Sequence, residues 1–141
     1  MPTPTNSSPH PPINAACHWF PGHPTSVRDV RRFITNRLED CPRKDDAALL
    51  ASELATNAIE HSLSGNWTTG FLVSIEHTTS EGVRVAVQDA GSWESSPAMT
   101  EPSPGAEHGR GLYLVEVIAD RWSAAKGRPG DQTVWFELDC A

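Results

Sequence analysis

No apolar stretch in the 141 residues approaches the roughly 20 needed for a helix to cross a bilayer, so no helical membrane span is expected. The first residues also lack the basic start and apolar core of a secretory signal. Cysteine is scarce. Cys17, Cys41 and Cys140 are an odd number at unrelated spacings, which argues against a disulfide framework or a zinc site and predicts reduced thiols in a cytoplasmic protein. Positive charge is also short: 11 Lys and Arg against 18 Asp and Glu leave a net charge of −7. Neutralising a nucleic acid or an anionic membrane takes clustered basic residues, so neither is an expected partner. A local basic spot for a nucleotide is compatible with this balance.

What remains is an ordinary globular composition, 38% apolar and 21% charged, at a length that builds one core and not two. Residues 1–16, rich in Pro, Ser, Thr and Asn, cannot bury apolar area and read as a disordered tail. Residues 17–141 read as one domain. Cys17 to Phe20 suits an edge strand, because Pro21 removes a ladder donor. Ser26 looks like the cap of a first helix, carried by Val27, Val30, Ile34 and Leu38 to about Glu39. A second helix starts near Asp45 or Asp46 and ends near Ser64-Gly65. Alternation at Phe71, Val73, Ile75 and then at Val83, Val85, Val87 predicts two strands joined by a hairpin turn at Ser80-Glu81-Gly82. From Ala90 to His108 the chain has no periodicity, and an aperiodic loop of about eighteen residues inside a compact domain is often a lid. Leu112, Val115, Ile118 and Ala119 predict a third helix ending near Trp122, and Val134, Phe136 and Leu138 a last strand. This order predicts an α/β two-layer sandwich, with helices on one face of a mainly antiparallel, mixed sheet.

Three short stretches carry candidate chemistry. The second helix places Glu53 and Asn57 four residues apart, on one side and at the rim of its apolar arc, and His61 continues the row. Glu offers a base for a water or hydroxyl, and Asn a neutral oxygen for a hard cation. Asp89-Ala90-Gly91 ends a strand, where Asp can accept from an exocyclic amine and Gly admits a planar base to the backbone. Gly109-Arg110-Gly111-Leu112 opens a helix, which brings backbone N–H groups toward an anion. Each stretch alone also suits a plainer role: a solvated helix rim, a strand-ending turn, a flexible hinge.

Their order and spacing together resemble the Bergerat-fold ATPases, the GHKL group of gyrase, Hsp90, histidine kinases and MutL. Glu53-x-x-x-Asn57 looks like the N box, Asp89-x-Gly91 like the G1 box and Gly109-x-Gly111-Leu112 like the G2 box. Ser52 to Ala58, Ala119-Asp120-Arg121-Trp122 and Thr133-Val134-Trp135-Phe136 bring the chain nearest to the small anti-sigma-factor serine/threonine kinases of the actinobacterial type. The resemblance implies a cytoplasmic protein that binds ATP and Mg²⁺. It makes Glu53 the general base and Asn57 the Mg²⁺ ligand. It gives Asp89 and Gly91 to the adenine, and Gly109, Arg110, Gly111 and Leu112 to the hinge of a lid over the phosphates. It places Thr133 in support of Asp89, and it assigns His61 no chemistry.

It also implies a function: phosphorylation of an anti-anti-sigma protein of the STAS type, sequestration of a sigma factor, or both, commonly as a homodimer. The fuller G1 pattern has a glycine where Trp93 stands here. A catalytically weak or silent regulatory module that binds ATP and acts by partner docking is therefore the alternative.

Overall fold

The computed structural model describes residues 15–61, 70–78, 81–89, 110–126 and 131–140. Five strands and three helices follow one another as β1 (Ala16–Pro21), α1 (Ser26–Arg37), α2 (Lys44–His61), β2 (Gly70–His77), β3 (Gly82–Asp89), α3 (Arg110–Ile118), β4 (Arg121–Lys126) and β5 (Gln132–Asp139). The strands form one sheet in the order β1-β2-β3-β5-β4. All four neighbouring pairs are antiparallel, so the expected mixed character is absent among the described residues.

Period-two alternation decides which face is covered. Phe71, Val73, Ile75, Val83, Val85, Val87, Val134, Phe136 and Leu138 are buried and share the helix-facing side. Val30, Ile34 and Leu38 of α1, Leu112 and Val115 of α3, and the apolar arc of α2 close the core over them. That arc is built largely of Ala: Ala47, Ala51, Ala55 and Ala58 are fully buried beside Leu50 and Leu54. Small side chains let a helix lie close on a sheet, and α2 packs across β3 and β2 and against α1 and α3. The expected sandwich, with helices on one face of the sheet, is thus the observed one.

The other face carries charge. Glu137 is only 8% exposed, yet it accepts from Arg84 Nε and Nη2 on β3 and from Arg121 Nε on β4, at 2.6–2.8 Å. Arg84 also lies over the Trp135 ring, 4.2 Å from its centroid. The hydrogen bond from Arg121, with that from Arg84, holds the Glu137 carboxyl below its ordinary value of 4.5 against the opposing effect of burial. A carboxyl with a lowered folded-state pKa adds stability above its unfolded pKa and loses it as pH falls through the folded one. Glu137→Gln should therefore lower Tm at neutral pH. The gap from the parent should narrow as pH drops below 4.5 and close once the parent's carboxyl is protonated, as a calorimetric pH series would read.

Several sequence expectations need correction. Strand β1 starts at Ala16, one residue inside the expected tail. Ser26 is the first residue of α1 and not its cap; Thr25 holds that position without a side-chain bond, while Ser26 Oγ donates to the Pro21 carbonyl at 2.7 Å. α1 stops at Arg37 and α2 starts at Lys44. The hairpin turn between β2 and β3 contains Glu81 at φ 61°, a left-handed conformation, and Thr78 N donates to the Gly82 carbonyl across it.

Helix α3 ends at Ile118, four residues before the expected Trp122, and Trp122 belongs to the unforeseen strand β4. Asp120 makes the break. Its backbone N–H donates to the Glu137 carbonyl at 3.0 Å, and its Oδ2 accepts from the Asp139 N–H and from Arg43 Nη1, both at 2.8 Å. Cys41 and Cys140 are not reduced thiols. They form a disulfide across 99 residues, with Cα atoms 5.1 Å apart, and only Cys17 is free among the described cysteines.

Candidate functional site

The two ends of the sheet are different places. At one end, Cys41 lies three residues before α2 and is bonded to Cys140, one residue past β5. Arg43 donates there to the Ile118 carbonyl at 2.9 Å, which ties the start of α2 to the end of α3. Gly82, the first residue of β3, is paired with Asp139, the last of β5. The beginnings of α2 and β3 and the ends of α3 and β5 therefore share this corner.

The lengths of the elements fix the opposite end. α2 has 18 residues, about 27 Å at the helical rise. β3 has 8 residues, about 27 Å at the antiparallel strand rise. The last turns of α2 thus arrive where β3 ends at Asp89, β5 begins at Gln132 and α3 begins at Arg110. The structure brings Asn57, Asp89, Thr133 and the start of α3 to this end, with Glu53 one turn back along α2.

Asn57 and Glu53 are both half-buried, flanking the buried Leu54, Ala55 and Ala58. Ser52 and Thr56, beside them in sequence, turn inward on the helix: Ser52 Oγ donates to the Leu49 carbonyl at 2.8 Å and Thr56 Oγ1 to the Ser52 carbonyl at 2.9 Å. Their polar groups are used up within α2, and Glu53 and Asn57 form the row at the rim. Asp89 is half-buried and shares the helix-facing side of β3 with Val85 and Val87.

Thr133 does not stand beside Asp89. The register sets it across from Gln88, and alternation gives its side chain to the opposite face, with Trp135 and Glu137. Gln132 is the residue paired with Asp89 on the same face. Sequence reading missed it, because pairing register is not visible until β3 and β5 are aligned. Leu112 is 6% exposed and packs in the core beside Val115, so its side chain is a packing group and only its backbone faces the helix start. Arg110 and Gly111 form the first turn of α3. Gly91, Gly109 and Trp93 lie outside the described residues, as do the side chains of Arg110 and His61.

Among the described residues, no group of three or more His, Cys, Asp and Glu could hold a metal ion. Bound with a nucleotide, Mg²⁺ would keep several waters and need only one or two protein oxygens, and the half-buried amide of Asn57 is of the kind that could supply one. The α3 N-terminus adds the positive end of a helix dipole.

Comparison with known proteins bears on this arrangement. A family model described as a histidine kinase-like ATPase domain matches residues 20–138. No curated protein matches the chain. Among solved structures, the RsbU and RsbW domains of Rv1364c from Mycobacterium tuberculosis superpose with a TM-score of 0.69 at 19% identity, over 89% of this chain. The match takes in 32% of that longer chain, and at this identity it speaks for the fold.

Proposed function

This chain belongs to the histidine kinase-like ATPase domain family, and we propose that it binds Mg·ATP and transfers the γ-phosphoryl group to a serine or threonine of a protein partner. One observation carries this reading: α2, β3, β5 and α3 bring Asn57, Asp89, Gln132 and a helix N-terminus to the same end of the sheet, with Glu53 one turn away.

Phosphoryl transfer asks a protein mainly for positioning and charge neutralisation. In this reading Asn57 holds Mg²⁺, which supplies charge compensation for the β- and γ-phosphate oxygens. Asp89 accepts from the adenine amino group, with Gly91 beside the ring. Gly109, Arg110 and Gly111 bring N–H groups and a cation over the phosphates, and the first turn of α3 adds its dipole. Glu53 accepts the proton of the incoming hydroxyl as its oxygen bonds to the γ-phosphorus, the bond from that phosphorus to the β,γ-bridging oxygen breaks and ADP leaves. Gln132 takes the supporting role beside Asp89 that sequence reading gave to Thr133. Gln132→Ala should weaken Mg·ATP binding by roughly tenfold, about 1–2 kcal/mol for a lost half-buried hydrogen-bond partner, and Thr133→Ala should leave it unchanged in calorimetry.

The partner is a small anti-anti-sigma protein of the STAS type, with a sigma factor held by the same molecule and phosphorylation of the antagonist deciding which is bound. The stretches Ser52 to Ala58 and Ala119 to Trp122, which resemble the anti-sigma-factor kinases, support that class. The protein works in the cytoplasm, as a homodimer, with the residues before Ala16 outside the catalytic domain. No helix among the described residues is long and apolar enough to cross a membrane.

The test is transfer of radiolabel from γ-labelled ATP to a cognate STAS-type antagonist. Label on a serine or threonine is expected. Nucleotide binding with no label would favour the second reading, a docking module, which Trp93 in place of a G1 glycine also favours.

A further inference from the structure

The corner opposite the proposed nucleotide end has a chemistry of its own. The Cys41–Cys140 bond forms part of the wall of a cavity of ≈ 380 Å³ that opens to solvent. Arg37, Glu39, Asp40, His77 and Glu81 line the same cavity. A purely structural disulfide needs no approach path, and this one has a path of small-molecule size. Cys41 is 7% exposed, whereas Cys140 is half-buried, so Cys140 Sγ is the sulfur an incoming reagent reaches first.

We propose that Cys41–Cys140 is a thiol–disulfide exchange site for a low-molecular-weight thiol that enters through this cavity, with a preference for a thiol bearing a positive charge. The preference follows from the lining, where three carboxylates, Glu39, Asp40 and Glu81, face one guanidinium, Arg37. The thiolate of the reagent attacks Cys140 Sγ. A bond forms between the two sulfurs, the Cys41–Cys140 bond breaks, and Cys41 leaves as a thiolate that takes a proton from water. A second reagent thiolate attacks the reagent's sulfur in the mixed disulfide and releases Cys140 as a thiolate. The protein gains two electrons, and two thiols become one reagent disulfide.

The corner does not depend on the bond alone. Arg43 still joins α2 to Asp120 and to the Ile118 carbonyl, and Cys140 N still donates to the Glu81 carbonyl at 3.1 Å. Both cysteines therefore stay in place after reduction, and the reagent's disulfide form can reverse the reaction.

The full chain, purified without reductant, is alkylated and weighed intact. One modified cysteine is expected, falling to none in Cys17→Ser, because Cys17 is exposed and free. Millimolar cysteamine should raise the parent to three modified cysteines; in Cys17→Ser it should raise the count to two, and cystamine should return that variant to none. Rates for cysteamine, 2-mercaptoethanol and 2-mercaptoethanesulfonate are each divided by the rate of the same thiol on a small open disulfide. The cationic thiol should lead the anionic one by about tenfold at low salt, with the spread collapsing in high salt. Three modified cysteines in the untreated parent, or one after cysteamine, would overturn the site. A flat or reversed order of thiols would overturn entry through the acidic cavity.

Discussion

Asn57→Ala is expected to weaken binding of Mg·ATP by roughly 100-fold or more, because even residues that only support a metal ligand cost 10- to 100-fold when removed. The residue sits on the last turns of α2, half-buried, with Leu54 and Ala58 anchoring the helix beneath it. Alanine is a better helix former than asparagine, so the substitution removes the oxygen and leaves the scaffold. Calorimetric titration reads the change directly. Omitting Mg²⁺ should bring the parent down to the level of the variant, and the variant should show no further loss. An Asn57→Ala protein that binds as tightly as the parent would place the metal elsewhere.

Glu53→Gln is expected to separate binding from transfer. A general base contributes about 100- to 10,000-fold to a proton-transfer step, and the amide cannot accept the proton. Labelling of the antagonist should fall by that factor while the Kd for Mg·ATP holds. Gln keeps the size and helix propensity of Glu, so a loss of transfer with normal binding and an unchanged Tm assigns the effect to the carboxylate. Transfer at the parental rate would remove Glu53 from the chemistry and move the protein toward the docking reading.

The parts of the fold that sequence revealed are those where local periodicity and burial agree. The Leu50, Leu54, Ala47, Ala51 and Ala58 arc marked the buried side of α2, and all five are in the core. Alternation at Phe71, Val73 and Ile75 and at Val83, Val85 and Val87 marked β2 and β3, and all six side chains are in the core. Strand β4 was hidden because its signal is weak. Arg121-Trp122-Ser123-Ala124-Ala125-Lys126 has few β-formers, and Ile118, Ala119 and Trp122 continue a helical spacing. Pairing with β5 and the bonds at Asp120 override that local preference, and neither can be read from the segment itself.

The disulfide was hidden for a related reason. Two cysteines 99 residues apart carry no spacing signal, and only the fold brings the α1–α2 connection to the end of β5. At the candidate site, the helix row and the strand end were visible as motifs. The register that faces Asp89 with Gln132 was not, since a shift of one residue exchanges the two faces of a strand.

The central claim is spatial: segments far apart in sequence surround one magnesium nucleotide at the end of the sheet away from the disulfide. Titrating a non-hydrolysable Mg·ATP analogue into isotopically labelled protein and following the backbone amides by NMR tests it most directly. The account predicts shifts concentrated at Glu53 to Ala58, Gln88 and Asp89, Arg110 to Leu112, and Gln132, with the amides around Cys41, Gly82 and Cys140 unmoved. Shifts gathered at that disulfide corner, or only one of the named segments responding, would contradict it.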